Sequence, residues 1–184
     1  MSEATMTPKS QKTRARIQQA AIELFLEQGV RETALWQIAD RLNMTKPALY
    51  YYFSSRDELI NSLIAPVVEQ TEAALADLES NTDLTADRVL AWYFDINIEH
   101  RAFNLLVLRD LSLFTGSDLG QRVAGWRRRL VDLLVGADAD LSAQARAVIA
   151  LGGISDCVVM FTEADADELR TATLAAASAA MTGG

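Results

Sequence analysis

Apolar residues recur at helical spacing along most of the chain. In the first segment, Ile17, Ala20, Ala21, Leu24 and Phe25 follow the i, i+3, i+4, i+7, i+8 pattern of a helix with one buried face. No segment shows the sustained apolar and polar alternation that is typical of a strand. The pattern therefore predicts an all-α fold whose first helix covers about residues 12–28.

Two short helices are predicted next. Thr33 is the expected N-cap of the second helix, and Thr45 that of the third, with Pro47 in its first turn. Between them, Asn43 suits the left-handed conformation that a tight turn requires. Two short helices joined by such a turn, with a longer helix on either side, have the geometry of a helix-turn-helix motif.

The remaining pattern also predicts helices. A fourth helix begins after Ser54 or Ser55 and reaches about residue 79, with a kink or short break near residues 63–65 because Pro66 lies inside it. Further helices are expected at about 85–101, 103–113, 117–135, 142–162 and 166–182. We place a domain boundary between an N-terminal segment, 10–60, and a C-terminal segment, 61–184.

Charge is distributed unevenly between these segments. The 184-residue chain is 50% apolar and 23% charged, a globular composition, with a net charge of -8. Residues 1–60 hold eight Lys and Arg against seven Asp and Glu, net +1, whereas residues 61–184 hold nine against eighteen, net -9. This asymmetry indicates that the N-terminal segment meets a polyanion, which the acidic remainder would repel.

Several classes of protein are not expected. The longest uncharged stretch, 171–184, has 14 residues and is too short for a membrane span, and no secretory signal is visible, so we expect a cytoplasmic protein without membrane contact. One cysteine and one histidine do not suffice for a disulfide or a structural zinc site, and no metal or other cofactor is expected. The common nucleophile, phosphate-loop and metalloprotease motifs are missing, so no catalytic residues and no enzyme are predicted.

The third helix carries the residue types that DNA reading requires. A recognition helix enters the major groove by its N-terminal end, which needs small or polar groups with cations and hydroxyls for the flanking phosphates. Thr45, Lys46 and Ala48 provide this end, and Tyr50 and Tyr51 point away from the apolar stripe of the helix. We therefore expect this helix to contact double-stranded DNA.

At this point the sequence resembles a known family. The segments from Thr33 to Ala39, from Met44 to Phe53 and from Ser55 to Leu59 closely resemble the DNA-binding domain of TetR-type transcriptional regulators. The resemblance covers about residues 12–62 and implies a homodimeric repressor on an inverted-repeat operator, released when a small ligand fills the C-terminal domain. The DNA-binding residues it implies, together with the adjacent Trp36, are Thr33, Leu35, Trp36, Thr45, Lys46, Pro47, Ala48, Tyr50, Tyr51 and Tyr52.

Two sites are predicted in the C-terminal domain. A small apolar effector is expected between the fifth, sixth and seventh helices, against Trp92, Phe94, Asn97, His100, Phe103, Phe114 and Trp126. The last two helices are apolar on nearly every side, which predicts a dimer interface comprising Leu151, Ile154, Val158, Phe161, Leu169 and Leu174.

Alternatives remain open for several of these residues. Trp36 either lies at the DNA edge or packs on the surface, His100 is either a ligand contact or a core residue, and the aromatic rings either line a cavity or fill a solid core. Arg127, Arg128 and Arg129 are interpreted as a solvated or ion-paired face rather than a phosphate site. The competing function is a small-molecule binding protein or enzyme built on a helical bundle, with the N-terminal helices as an accessory domain.

Overall fold

The computed structural model describes residues 7–109 and 119–182, and all regular structure in these ranges is helical. This confirms the all-α prediction. The helices are α1 (Pro8–Gln28), α2 (Leu35–Arg41), α3 (Lys46–Tyr52), α4 (Arg56–Glu79), α5 (Ala86–Glu99), α6 (Arg101–Arg109), α7 (Leu119–Val135), α8 (Leu141–Met160) and α9 (Ala166–Thr182).

The chain forms two compact units, which divide it within α4 and α6. The first unit contains the described residues up to Val67 and those of α6 from Leu105 onward. The second contains residues from Val68 to Asn104 and the described residues from Leu119 onward. Our expected boundary between residues 60 and 61 remains a prediction.

Capping side chains and residues with a positive φ determine where the helices of the first unit begin and end. The Thr7 side chain accepts a hydrogen bond from the Ser10 amide, so α1 begins four residues earlier than predicted. It ends at Gly29, whose φ of 98° is disfavoured for residues with a side chain. Asn43 adopts the expected left-handed conformation, with φ 52°. The helices enclose a small core of fully buried apolar side chains, including Ile17, Ala21, Ile38, Leu49, Phe53 and Leu59.

One expectation for α4 is wrong. The helix continues without interruption from Arg56 to Glu79 with Pro66 inside it, so the short break near residues 63–65 is absent. A proline within a helix removes one backbone hydrogen bond, and the helical bonds on either side suffice to continue the helix here. At its start, Ser55 accepts a hydrogen bond from the Glu58 amide, which identifies Ser55 as the capping residue.

The core of the second unit lies between α5, α7, α8 and α9. Its fully buried members include Leu90, Leu130, Leu151, Ile154 and Val158. Asp140 caps α8 by accepting from the Ala143 amide at 2.8 Å, and Asp165 accepts from the amides of Asp167 and Glu168 at the start of α9. Asp140 and Asp165 thus stabilise the N-termini of α8 and α9.

Helix α8 is unusually apolar for a helix at the surface of a domain. By length and composition alone it could cross a membrane, although it contains Arg146 and Asp156, and it is the one such helix in the described residues. Our test of uncharged stretches overlooked it because those two charges interrupt the run. One face of α8 belongs to the core described above, and the opposite face, with Ile149 and Met160, is exposed.

Candidate nucleic-acid interface and the interior of the second unit

Helix α3 is held in place by its cap and by its buried face. The Thr45 side chain accepts a hydrogen bond from the Ala48 amide at 3.3 Å, which confirms the predicted N-cap. Leu49 and Phe53 are fully buried, so the rest of the helix surface is turned outward. A short helix fixed in this way presents its N-terminal end as a rigid surface.

The outward surface of α3 carries the polar and aromatic groups predicted to meet DNA. Thr45, Lys46 and Pro47 are exposed, Tyr50 and Tyr51 are 51% and 81% exposed, and Ala48 is half-buried. The ring of Tyr52 is half-buried and lies edge-on to Tyr51, with 5.3 Å between centroids. We call the surface formed by Thr45, Lys46, Pro47, Tyr50 and Tyr51 the α3 face.

Arg14 on α1 supports the C-terminal end of α3. Its guanidinium donates to the Tyr52 carbonyl at 2.9 Å and lies over the Phe53 ring, 4.1 Å from the centroid. The contact satisfies one of the carbonyls that a helix end leaves unpaired. Arg14 therefore acts on the α3 face through the position of the helix.

Trp36 on α2 lies beside the α3 face. Its side chain is 48% exposed, and the Lys46 ammonium lies 5.8 Å from the centroid of its ring, within cation–π range. The indole therefore both remains open to solvent and orients Lys46. Both readings of Trp36, DNA edge and surface packing, are compatible with this position.

Two residues predicted to bind DNA lie in the interior instead. Thr33 is 1% exposed, and its hydroxyl donates to the Gly29 carbonyl at 2.7 Å and accepts from the Gln28 side chain at 3.1 Å. It is not the cap of α2, because Ala34 precedes the helix and the Gln37 side chain accepts from the Ala34 amide at 2.7 Å. Leu35 is 6% exposed and packs inward. Neither side chain is available to a phosphate, so both assignments are corrected.

Polar contacts within the chain occupy several of the predicted effector residues. The Asn97 amide donates to the Tyr93 carbonyl at 2.7 Å and its oxygen accepts from Asn104 at 3.1 Å. The Trp126 indole donates to Glu72 at 2.6 Å, and Arg129 binds the same carboxylate at 2.9 Å. These hydrogen bonds, that from Trp126 above all, hold the pKa of Glu72 below its usual value. Asn97 and Trp126 thus already have partners in this chain.

The apolar effector residues are divided between the core and the surface. Phe94 is 2% exposed and belongs to the core of the second unit, against which Trp92 and Trp126 pack while half-buried. Phe103 is half-buried on α6. Phe114 lies outside the described residues. The effector site therefore remains a prediction.

His100 and Arg101 both carry buried nitrogen atoms without hydrogen-bond partners, but only His100 was predicted as an effector residue. His100 ends α5, and burial lowers its pKa while nearby Glu99 opposes that shift. Its Nε2 atom is buried without a hydrogen-bond partner, as are Nε and Nη2 of Arg101. Arg101 was missed because a single arginine among acidic residues forms no sequence pattern. The structure is what identifies it.

The residues predicted for the dimer interface are mostly interior to the single chain. Leu151, Ile154 and Val158 are fully buried and Leu169 is 6% exposed, because they pack in the core with α5 and α7. Leu151, Ile154 and Val158 have no exposed surface with which to touch a partner, so these three assignments are corrected, whereas Leu169 stays a prediction with little surface available. Leu174 is half-buried, and Phe161 is 53% exposed.

Charged side chains of the described residues form neither a metal site nor, on α7, a phosphate site. No group of three or more His, Cys, Asp and Glu side chains there is arranged to hold a metal ion. Arg128 pairs with Asp132, and Arg129 pairs with Glu72 and Glu79, which agrees with an ion-paired face rather than a phosphate site.

The helix-turn-helix segment matches known regulators. Residues 17–63 match the family model described as bacterial regulatory proteins, tetR family. The chain is similar to the probable HTH-type transcriptional regulator ArpR of Pseudomonas putida, with 33% identity over 76 residues that cover 41% of this chain and 36% of the relative. It is also similar to the probable acrEF/envCD operon repressor of Escherichia coli strain K12, with 38% identity over 52 residues that cover 28% of this chain and 24% of the relative. The matched regions therefore span well under half of these relatives.

The fold extends the likeness beyond the helix-turn-helix segment. A transcriptional regulator of the TerR/AcrR family from Aquifex aeolicus VF5 superposes with a TM-score of 0.68 and 20% identity, covering 90% of this chain and 98% of the other. At this identity the likeness shows the fold alone. Residues 17–63 are thus similar to the DNA-binding segment of the tetR family of bacterial regulatory proteins.

Proposed function

We propose that this chain is a DNA-binding transcriptional repressor that acts as a homodimer on an inverted-repeat operator and is released by a small ligand. The observation that carries the proposal is the α3 face. A capped helix whose exposed N-terminal end bears Thr45, Lys46 and Pro47, next to two exposed tyrosines, has the shape and donors that major-groove reading requires. The repressor assignment follows the Escherichia coli relative, which is named a probable operon repressor.

The distribution of charge also supports an orientation in which the first unit faces the DNA. Lys9, Lys12 and Arg16 on α1 are exposed in the first unit, whereas residues 61–184 carry a net charge of -9. A polyanion attracts the first segment and repels the second. The proposal places the protein in the cytoplasm, where it meets DNA.

The exposed faces of α8 and α9 support a dimer interface different from the residues first predicted. On α8, Val148, Ile149 and Met160 are 49%, 64% and 74% exposed, and Gly153 between them permits close approach. On α9, Ala172, Ala175, Ala176 and Ala179 are exposed. We define this set as the α8–α9 face. Two copies of it, related by a two-fold axis, would form a four-helix bundle that excludes water from these side chains.

The experiment that tests DNA binding uses an operator selected from a random double-stranded library. Lys46→Ala is expected to weaken binding to all sequences and to reduce the slope of log affinity against log salt by about one unit, because one phosphate contact is lost. Substitutions of Ala48 are expected to change base preference instead. Affinity is measured by fluorescence anisotropy at several salt concentrations.

Arg128→Ala is the matched control, because this exposed arginine lies in the second unit and pairs with Asp132. It is expected to leave affinity and salt slope unchanged. An unchanged salt slope in Lys46→Ala, or a reduced slope in Arg128→Ala, would show that the α3 face is not the DNA-binding surface.

A further inference from the structure

Arginines in the second unit show how this chain holds carboxylates. Arg129 grips Glu79 with Nε at 2.7 Å and Nη2 at 2.6 Å, one nitrogen to each carboxylate oxygen. Arg170 grips Asp95 with the same two atoms, at 2.8 and 3.1 Å. In both, the Nε and Nη2 edge of the guanidinium forms two parallel hydrogen bonds, the strong bidentate arrangement that planar carboxylates favour.

Arg101 presents the same edge without a carboxylate. Its Nη1 atom donates to the Thr162 carbonyl at 3.3 Å, which anchors the side chain to the segment after α8. Its Nε and Nη2 atoms are buried and have no hydrogen-bond partner in the described structure. The two unpaired atoms are therefore the pair that grips a carboxylate in Arg129 and Arg170.

The polar side chains near Arg101 differ in whether they have hydrogen-bond partners. The Nε2 atom of His100, the preceding residue, is also buried and without a partner. Asn97 and Asn104, by contrast, are bonded to each other and to the backbone. Buried N–H donors without a partner are costly to the folded chain. The arrangement is explained if the missing partner is an anion that is not part of the chain.

We propose that Arg101, assisted by His100, binds the carboxylate of an effector in the second unit. This inference rests on the proposed function, since it concerns the ligand to which the repressor responds. It changes the expected effector from a purely apolar molecule to an organic acid with an apolar body. Arg101 supplies the two parallel hydrogen bonds, and the unpaired Nε2 atom of His100 would supply a further contact to the ligand.

The test measures the melting temperature of the full chain without DNA. Octanoate and benzoate are the probes, and their neutral amides, octanamide and benzamide, are the comparison compounds. We expect the carboxylates to raise the melting temperature of the wild type by several degrees and the amides to leave it unchanged. Inorganic phosphate serves as a further probe, because equal protection by phosphate would reveal a general anion site and overturn the carboxylate assignment.

Two variants assign the effect to the unpaired edge. Arg101→Met is expected to weaken carboxylate binding by a factor of about 10 to 100, the usual effect of losing hydrogen bonds to a charged group. Arg170→Met is the matched control and is expected to keep the wild-type response, because the edge of Arg170 is already occupied by Asp95. Protection that persists in Arg101→Met, or that is missing for both carboxylates in the wild type, overturns the proposal.

The ligand-free stability of Arg101→Met separates binding from folding. Because the edge is unpaired without a ligand, the variant should melt at or above the wild-type temperature. A large decrease would mean that Arg101 holds the fold together, which also contradicts the proposal. Arg101→Met should still bind the selected operator but resist release by octanoate. If the wild type fails to bind any DNA while carboxylates still protect it, the proposed function fails and the carboxylate site stands.

Discussion

Buried polar side chains in this protein differ in whether the chain itself supplies their partners. The Thr33 hydroxyl, at 1% exposure, has both a donor and an acceptor within reach, and Asn97 is similarly satisfied. Arg101 and His100 retain buried nitrogens that are unpaired. Groups with hydrogen-bond partners stabilise one conformation. Unpaired groups mark places where an external partner would lower the free energy of the folded chain.

Thr33→Val tests the structural role assigned to this residue. Valine has nearly the same shape but leaves the Gln28 amide and the Gly29 carbonyl without their partner. We expect the free energy of unfolding to fall by about 1–3 kcal/mol, measured by urea denaturation. The folded variant should keep the wild-type salt slope for DNA binding. A reduced slope with unchanged stability would restore Thr33 as a phosphate contact.

Side-chain caps determine where the helices begin. Thr45, Ser55 and Asp140 each accept from a backbone amide in the first turn of α3, α4 and α8. At α4 the arrangement is reciprocal, because the Glu58 carboxylate also accepts from the Ser54 amide at 2.8 Å and from the Ser54 hydroxyl at 2.6 Å. The cap fixes the direction in which α4 leaves α3.

The cap of α4 predicts a dependence of stability on pH. The hydrogen bonds from the Ser54 hydroxyl and amide lower the pKa of Glu58 in the folded chain. The stabilisation is therefore complete above the unfolded pKa of about 4.3 and is lost as the pH falls through the lower folded value. Glu58→Gln should reduce stability at pH 7 by up to about 1 kcal/mol. The difference from wild type should shrink below pH 4, as melting curves recorded between pH 3 and 7 would show. A difference that stayed constant over this range would exclude the carboxylate charge as its cause.

The whole molecule combines a helix-turn-helix unit with a second unit that leaves apolar surface uncovered. The α8–α9 face lies opposite the residues of α8 that fill the core, so α8 is apolar on both sides for two different reasons. One side stabilises the chain by itself. The other side is exposed in a single copy, and in the proposed dimer a second copy of the chain would provide the matching surface.

Ile149→Glu and Ile154→Glu should separate these two sides of α8. Ile149 is 64% exposed and Ile154 is fully buried. We expect Ile149→Glu to fold normally and to sediment as a monomer with weakened operator binding. Ile154→Glu should lose about 4 kcal/mol or more of stability, because it buries an unpaired charge.

Ala73→Glu, at an exposed position of α4, is the control that should leave the dimer intact. Analytical ultracentrifugation at micromolar concentration provides the measurement. A monomeric wild type, or a dimeric Ile149→Glu variant, would contradict the interface.

Sequence patterns predicted the positions of the helices well, and they predicted less well which side chains are buried and which are exposed. The cap at Thr45 and the left-handed Asn43 are local features, so they were visible from neighbouring residues alone. Thr33 was misplaced because a threonine before an apolar run resembles a cap whether its hydroxyl binds the next turn or the previous one. The dimer residues were misplaced because a helix that is apolar all round gives no periodicity to distinguish core from interface. Arg101 required the structure, since its unpaired state depends on residues distant in sequence.

The positions of α3 and α8 along the chain also determine the order of events on the ribosome. Helix α8 begins roughly 70 residues after the end of the first contiguous segment, at Val67, which takes about 4–14 s at translation rates of about 5–20 residues per second. Helices α1–α3 make local contacts and form in far less time. During synthesis, helices α1–α3 are therefore complete while the α8–α9 face has not yet been made. If the proposed dimer forms, a nascent chain therefore makes the helix that would read DNA before it makes the surface that would pair it with a second copy.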